Sequence, residues 1–152
     1  MVASPRALSR EIRGVVVDAS VVLKLLLPED QSGTVHRLWA RWLEQDREIA
    51  APFLLAYEVT SVLRNKMVRR EVPPEAGEAA FLAYRSQEIS LHHPDGIEEK
   101  MWALAKHWNL PTCYDATYLA LAELLGYEFW TADRRLAAGL RKRMPRLRLI
   151  TG

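Results

Sequence analysis

Apolar and polar positions along the chain predict short strands separated by helices. Val15 to Val17 form a β-branched run, which is typical of a strand covered on both faces, and an apolar helical segment follows it. Further apolar runs predict four more strands, near residues 48–51, 89–92, 128–132 and 147–151. A further helix is predicted after the first strand and helix, because Val35, Leu38, Trp39, Trp42 and Leu43 recur at the spacing of one helical face.

The remaining helices are predicted between these strands. They run over residues 53–70, 73–86, 95–108, 112–126 and 136–143. We expect Asp95 to cap the third of them and Gly126 to end the fourth. Parallel neighbouring strands require crossover connections, so strands that alternate with helices predict a parallel sheet covered by helices on both faces. We therefore predict a single α/β domain with three layers and a sheet of about five strands.

Composition narrows the class of protein. The 152 residues suit one domain with a single core. The single cysteine, Cys113, excludes an internal disulfide and favours a reducing compartment. The chain has no apolar run of the ~18 residues that a membrane span needs, and Met1 to Gly14 lacks the apolar centre of a signal peptide. We expect a soluble, cytoplasmic protein.

The charge is unevenly distributed. The net charge is only +2, yet residues 134–152 carry seven basic side chains and no acidic ones. This basic end can contact phosphate groups, although a solvated helix face is the alternative. Its members are Arg134, Arg135, Arg141, Lys142, Arg143, Arg146 and Arg148.

Two aspartates follow predicted strands. Asp18 comes directly after Val17, and Asp133 comes after the run that starts at Glu128. Ligands of such sheets bind beyond the carboxyl ends of the strands, and adjacent strands lie ~4.8 Å apart. If the two strands are neighbours, one metal ion can bridge both carboxylates. Each aspartate also has a structural alternative, because each can cap the following helix, with Ser20 competing for the first cap.

Two further acidic residues lie on predicted helices. Thr112 to Asp115 match a capping box, which is a structural alternative for Asp115. Glu58 projects from the apolar-to-small face of its helix, where an ionised carboxylate is costly unless it is paired or binds a metal. Arg69, on the same face, is one cation that can pair with Glu58.

A gathering of four acids predicts a bound cation. Neighbouring carboxylates repel one another, and a divalent ion removes that penalty. Oxygen ligands without softer partners favour Mg²⁺ or Mn²⁺ over Zn²⁺. Ser20 and Thr131 can contribute a hydroxyl or orient a carboxylate. We interpret His92 and His93 as structural, because adjacent strand residues face opposite ways.

Three blocks of the sequence resemble those of PIN-domain nucleases, in order and in spacing, and most resemble VapC-type toxins. They are VVVDASVVLKLLLPE, APFLLAYEVTSVLRNK and LPTCYDATYLALAELLGYEFWTADRRLA. The resemblance covers nearly the whole chain after Gly14, so residues 1–13 are expected to be an N-terminal extension of a domain at 14–152. The chain departs from the pattern at Thr60 and Ser61, where relatives often have asparagine.

The resemblance implies a fold and an activity. From the resemblance we expect the strand of Asp18 to lie beside that of Asp133, and the protein to be an Mg²⁺- or Mn²⁺-dependent endoribonuclease. We expect its metal-binding and catalytic residues to be Asp18, Glu58, Asp115 and Asp133, supported by Ser20 and Thr131. It also implies a homodimer and a cognate antitoxin that covers the acidic cleft.

The residues leave rival functions open. A housekeeping PIN nuclease without an antitoxin is one, and a non-catalytic module that binds RNA or protein is another. Candidate contacts to the RNA backbone are the basic end, above all Arg134 and Arg135, together with Arg64, Lys66, Arg69 and Arg70.

Overall fold

The computed structural model describes residues 13–140 and 143–152. Arg141 and Lys142 of the basic end lie outside these ranges, as does the predicted N-terminal extension except for Arg13. Within the described ranges, no helix is long and apolar enough to cross a membrane.

Five parallel strands form one sheet, as predicted. They are β1 (Gly14–Val17), β2 (Glu48–Pro52), β3 (Ser90–His92), β4 (Glu128–Thr131) and β5 (Leu147–Leu149), in the spatial order β3-β2-β1-β4-β5. Strands β2 and β3 lie on one side of β1, and the chain then crosses back to place β4 and β5 on the other side. The β1/β4 boundary is therefore the switch point at which such sheets bind ligands.

Seven helices connect and cover the strands in the described part of the chain. They are α1 (Ala19–Leu26), α2 (Ser32–Glu44), α3 (Leu54–Val68), α4 (Pro74–Ser86), α5 (Ile97–His107), α6 (Tyr114–Leu125) and α7 (Arg134–Leu140). The last begins two residues earlier than predicted, because Asp133 and not a later residue caps it.

The core is centred on β1. Val15, Val16 and Val17 are completely buried, as the continuous β-branched run predicts. Helix α6 is buried from Ala116 to Ala122, and its several alanines let it pack close to the sheet. Trp39 and Trp42 of α2 are also buried, with ring centroids 5.9 Å apart, so this pair belongs to the core.

A polar network around Glu48 links the start of β2 to Tyr127, just before β4, and to the last residue of β3. Tyr127 donates a hydrogen bond of 2.6 Å to Glu48, and His92 shares one of 2.5 Å with the same carboxylate. The Tyr127 ring crosses Gly14, where an added Cβ would lie 2.3 Å from a ring carbon. His92 is thus a structural residue, as the sequence suggested.

The predicted cap of α5 is wrong. The cap residue is Gly96, which has a φ of 83° and no side chain, and Asp95 lies one residue too early. Glycine adopts this left-handed conformation without steric cost. Gly126 ends α6 in the same conformation, with a φ of 72°, as predicted.

Candidate functional site

Asp18 is held at the carboxyl end of β1 by three hydrogen bonds. The residue is only 7% exposed. Ser20 donates its hydroxyl to Oδ1 and Thr131 donates its hydroxyl to Oδ2, each at 2.5 Å. The backbone N–H of Val21 also donates to Oδ1, at 3.2 Å, so Asp18 caps α1. Capping and a functional role are therefore compatible at this position, because the hydroxyls fix the orientation of the carboxylate.

The surroundings of Asp18 disfavour the ionised form of its carboxyl group. Burial raises its pKa to about 6, although the hydrogen bonds from Ser20, Thr131 and Val21 lower it. The negative charge of Asp133 adds to the increase in pKa. A cation at this edge of the sheet would offset the penalty.

Asp133 lies beside Asp18 in the fold. Strands β1 and β4 are neighbours, with Val17 opposite Trp130, which confirms the predicted adjacency. Asp133 is exposed, and its Oδ1 accepts hydrogen bonds from the backbone of Arg135 and Leu136, at 2.9 and 3.2 Å. Like Asp18, it both caps a helix and faces the carboxyl edge of the sheet.

Asp115 has no capping role. The cap residue of α6 is Cys113, which makes no side-chain capping hydrogen bond, so the predicted capping box does not form. Thr117 donates its hydroxyl to the carbonyl of Cys113 instead, at 2.8 Å. Partial burial and the nearby Asp133 raise the pKa of Asp115. The structural alternative for this residue is thereby removed.

Glu58 is bound to a residue that the sequence did not single out. Tyr118 of α6 donates its hydroxyl to Oε1 of Glu58, at 3.1 Å. Burial raises the pKa of Glu58, the Tyr118 hydrogen bond lowers it, and the charge of Asp115 raises it again. Tyr118 lies three residues after Asp115 and so on the same face of α6. That spacing is the sequence signal that could have identified it.

The proposed ion pair between Glu58 and Arg69 is wrong. Arg69 lies beyond the end of α3 and is 3.9 Å from Glu71. The atypical Thr60 donates its hydroxyl to the carbonyl of Ala56, at 2.6 Å, within its own helix. Neither residue neutralises Glu58.

The four acids are electrostatically coupled but not clustered like the ligands of a bound ion. Each of the three pKa increases at Asp18, Glu58 and Asp115 includes the charge of another member of the set. In residues 13–140 and 143–152, however, no three His, Cys, Asp or Glu side chains are close enough to hold a metal ion together. The donors are carboxylates with hydroxyl support, and this chemistry fits a hard divalent cation.

The candidate backbone contacts occupy different parts of the surface. Arg134 and Arg135 are exposed at the start of α7, directly after Asp133. Arg64 is exposed on α3, and Arg69 is exposed beside Glu71. Arg134 and Arg135 are therefore the candidates that lie directly beside one of the four acids, whereas Arg64 lines a groove between α3 and α4.

Three other basic residues of this end, Arg143, Arg146 and Arg148, lie elsewhere on the surface. Arg143 lies over the Trp108 ring at 5.5 Å, and Arg148 is 3.7 Å from Glu128, near the amino end of β4. A depression of about 650 Å³ lies between these residues and the Lys100–Glu123 ion pair, which is 2.6 Å long. The depression is away from the acidic edge, and its four basic and two acidic side chains leave it with a net positive charge.

The chain is similar to PIN-domain proteins and to VapC ribonucleases. The family model described as PIN domain matches residues 15–139. A VapC ribonuclease of Mycobacterium bovis is 32% identical over 123 residues, which is 81% of this chain and 88% of the relative. Ribonuclease VapC3 of Pyrobaculum aerophilum is 32% identical over 126 residues, with 80% of this chain and 91% of the relative covered.

Solved structures share the fold. The sarcin-ricin loop cleaving toxin VapC20 of Mycobacterium tuberculosis superposes with a TM-score of 0.61 at 22% identity, over 84% of this chain and 95% of the other. A toxin–antitoxin complex from Klebsiella pneumoniae gives a TM-score of 0.65 at 16% identity, over 91% of this chain and 98% of the other.

Proposed function

The chain belongs to the PIN-domain family, and from this premise we propose that it is a metal-dependent endoribonuclease, the toxin of a VapBC-type toxin–antitoxin pair. The relatives that it matches over most of its length are named VapC ribonucleases. The observation that carries the proposal is Asp18, a buried carboxylate held by two hydroxyls at the switch point of the sheet. Burial of an ionised carboxylate lowers the stability of the fold, and carboxylates with such perturbed pKa values are typical of functional sites.

Asp18, Asp115, Asp133 and Glu58 are the residues that would hold the cation, and Mg²⁺ or Mn²⁺ is the ion that their oxygens favour. When bound, such an ion supplies Lewis acidity, which lowers the pKa of a coordinated water and neutralises charge on the phosphate. The raised pKa values of Asp18, Glu58 and Asp115 support this assignment, because burial, and after it the charge of a neighbouring acid, disfavours each ionised carboxylate and a bound cation would offset that cost.

The side chains around the acids have distinct roles in this proposal. Ser20 and Thr131 keep the Asp18 carboxylate in one orientation, so it needs no rearrangement when the substrate arrives. Tyr118 orients Glu58 in the same way. With its raised pKa, Glu58 is suited to accept a proton from the attacking water. The exposed Arg134 and Arg135 contact the RNA backbone beside the acids.

A cognate antitoxin is part of the same proposal. The acidic edge of the sheet is complementary to a positively charged segment of a partner, which would neutralise the acids and exclude RNA. The protein would act as a homodimer when free. Two rival functions keep the fold: a housekeeping PIN nuclease without an antitoxin, and a module that binds RNA or protein without cleavage.

The test is cleavage of total RNA by the purified protein in Mg²⁺, in Mn²⁺ and in EDTA. We expect cleavage with either metal and none in EDTA, and loss of cleavage in Asp18→Asn and Asp115→Asn. Asp95→Asn is the matched control, because it removes an exposed carboxylate outside the acidic site and should cleave normally. Undiminished cleavage in EDTA, or in either active-site variant, would rule out the metal-dependent mechanism.

Expression in a bacterial host separates the toxin from its rivals. We expect growth arrest, relieved by co-expression of a small antitoxin encoded by a neighbouring gene and absent for Asp18→Asn. Harmless expression of a protein that cleaves RNA in vitro would favour a housekeeping nuclease. RNA binding without cleavage, insensitive to metal, would favour a binding module.

A further inference from the structure

A depression with a net positive charge lies at the C-terminal end of α6. It has a volume of about 650 Å³ and lies between the pair of helices α5 and α6 and the segment that leads into β5. Its charged side chains are four basic and two acidic ones, Lys100, Arg143, Arg146, Arg148, Glu123 and Glu128. This excess of positive charge favours an anion as its ligand.

Ion pairs account for both acids of the depression but for only part of its positive charge. Glu123 lies 2.6 Å from Lys100. Glu128 lies 3.7 Å from Arg148 and 3.4 Å from Arg47. In the part of the chain that the structure describes, the other two arginines of the depression have no carboxylate within ion-pair distance. Their charge is available to a ligand.

These two arginines are held in place by contacts that leave them charged. Arg143 lies over the Trp108 ring, with its guanidinium carbon 5.5 Å from the ring centroid. A guanidinium stacked on an aromatic face keeps its charge and loses little further freedom when it binds an anion. Arg146 lies at the end of α6, where its Nη1 is 3.7 Å from the position of a Cβ added to Gly126. A positive charge is also favourable to the helix at that end.

The depression and the acids lie at opposite ends of α6. Asp115 is in the first turn of this helix and Glu123 is in its last turn, which separates them by ~12 Å at 1.5 Å per residue. The Lys100–Glu123 pair joins the start of α5 to the end of α6, so the two helices are antiparallel. Trp108 follows α5 and thus lies at the end of the helix pair where α6 starts. Arg143, stacked on Trp108, extends the positive surface from the depression toward Asp115.

Helix α7 joins the acids to the depression on the same face of the sheet. The connections from β3 to β4 and from β4 to β5 run in the same direction across the sheet, so right-handed crossovers place α5, α6 and α7 on one face. Helix α7 starts directly after Asp133 and ends shortly before Arg143. It contains no acidic residue, and its exposed residues are Arg134, Arg135, Ala138 and Gly139. No charge of α7 repels a phosphate backbone along this path.

We infer that the depression is a second contact site for the RNA backbone, remote from the bond that is cleaved. A stacked strand has one phosphate per ~3.4 Å, so ~12 Å corresponds to roughly three to four nucleotides from the acids. Arginine suits this role, because its planar group donates two parallel hydrogen bonds to a phosphate. The inference rests on the proposed ribonuclease function. Arg143 and Arg146 are positioning residues, which hold the flanking RNA and do not contact the reacting atoms.

Two other anions share the charge preference of RNA, a small polyphosphate and an acidic segment of a protein. The RNA backbone is favoured because the proposed reaction already brings a polymer of phosphates to the acidic edge. Both α6 and α7 lead from that edge to the depression, and the start of α7 adds the exposed cations Arg134 and Arg135. A strand bound at the acids is therefore held at high local concentration near the depression.

The binding experiment uses the full chain carrying Asp18→Asn, which keeps RNA intact. The probe is a fluorescently labelled RNA of about twelve nucleotides, and its anisotropy is followed between about 50 and 200 mM KCl. Each phosphate contact contributes about 0.7 to the slope of log K against log salt, so Arg143→Gln should reduce the slope by about 0.7 and weaken binding about fivefold at about 0.1 M salt. Arg143→Lys keeps the charge and should keep the slope. Arg41→Gln, which removes an exposed cation from α2, is the matched control.

Kinetics in the catalytically intact chain give an independent measure. A contact that is equally strong in the bound substrate and in the transition state changes KM and leaves kcat unchanged. For an RNA that the wild type cleaves, Arg143→Gln should raise KM about fivefold at about 0.1 M salt, and Arg143→Gln combined with Arg146→Gln about 25-fold. Arg41→Gln should leave both constants unchanged.

The outcomes separate this inference from the proposed function. Cleavage by the wild type, together with an unchanged salt slope and KM in the combined variant, would overturn only the second contact site. A slope reduced equally by Arg143→Lys and Arg143→Gln would also overturn it, because the slope reports positive charge. Binding of tripolyphosphate that Arg143→Gln abolishes, with RNA binding unchanged, would assign the depression to a small anion. The same result with a polyglutamate peptide would assign it to an acidic protein. Absence of cleavage and of RNA binding in the wild type would remove the proposed function as well.

Discussion

Replacing Asp18 with asparagine should stabilise the fold while abolishing RNA cleavage. Burial raises the pKa of Asp18 from 3.8 to about 6. At 1.36 kcal/mol per pKa unit, an ionised Asp18 costs about 3 kcal/mol of folding free energy near neutral pH. Asparagine retains one acceptor oxygen and so loses one of the two hydroxyl hydrogen bonds, from Ser20 or Thr131, which costs about 1 kcal/mol. The expected net gain is about 2 kcal/mol.

The sign of the pH dependence follows from the direction of the shift. Below pH 3.8 the carboxyl is protonated in both the folded and the unfolded chain, so it imposes no penalty. Between pH 3.8 and about 6 the unfolded chain ionises first, and stability falls as the pH rises. Above about pH 6 the full penalty persists. The advantage of Asp18→Asn should therefore be largest at neutral pH and shrink on acidification.

Urea denaturation in EDTA, followed by circular dichroism, measures this difference without a contribution from bound cations. At about pH 7 the midpoint should be higher for Asp18→Asn than for the wild type, and at about pH 4 the two should nearly coincide. Asp95→Asn should match the wild type at both values. Excess Mg²⁺ should then stabilise the wild type and leave Asp18→Asn unchanged.

Two results would refute the reasoning. Lower stability of Asp18→Asn than of the wild type at neutral pH would show that the hydrogen bonds of the carboxylate outweigh its desolvation. Alternatively, an advantage of the same size at acidic pH would show that ionisation is not its source.

Three further substitutions test other contacts. Thr131→Val removes a hydroxyl that orients the buried aspartate and should reduce RNA cleavage by about 10–100-fold in a folded protein; normal cleavage would contradict this role. Tyr118→Phe removes a hydrogen bond that lowers the pKa of Glu58, so the acid limb of the pH–cleavage profile should move to higher pH, and an unmoved limb would exclude Glu58 from that limb. Gly14→Ala places a methyl group against the anchored Tyr127 ring and should destabilise by about 1–3 kcal/mol in urea; with Tyr127→Ala added, the cost should be less than the sum of the single changes.

Local patterns predicted the strands and helices well where one physical cause dominated. The run Val15 to Val17 can only be accommodated between two covering layers, and the structure buries all three residues. Gly126 ends α6 in a conformation that glycine readily adopts. The failures lie at helix starts. Asp95 and Thr112 both have the side chains of good caps, but the preceding loops place Gly96 and Cys113 at the cap positions instead.

The candidate site was only partly accessible to sequence reasoning. The four acids were selected by chain position and by family resemblance, and the structure brings Asp18 and Asp133 to adjacent strands. The hydrogen bond between Tyr118 and Glu58 depends on how α3 and α6 pack against the sheet. No periodicity in either helix encodes that distance. Helix periodicity placed Arg69 on the face of Glu58, but three helical turns, ~16 Å at 1.5 Å per residue, separate the two residues, and Arg69 lies beside Glu71 instead.

The central place of β1 determines when the protein can become active during synthesis. The first strand of the sheet lies between β2 and β4, and the hydroxyl of Thr131 that holds Asp18 is 113 residues further along the chain. At about 5–20 residues per second, a ribosome needs roughly 6–20 s to make that segment. A nascent chain that has exposed Asp18 therefore cannot assemble the acidic site until β4 has emerged. Fragments that end before β4 are correspondingly expected to be harmless to the cell that makes them.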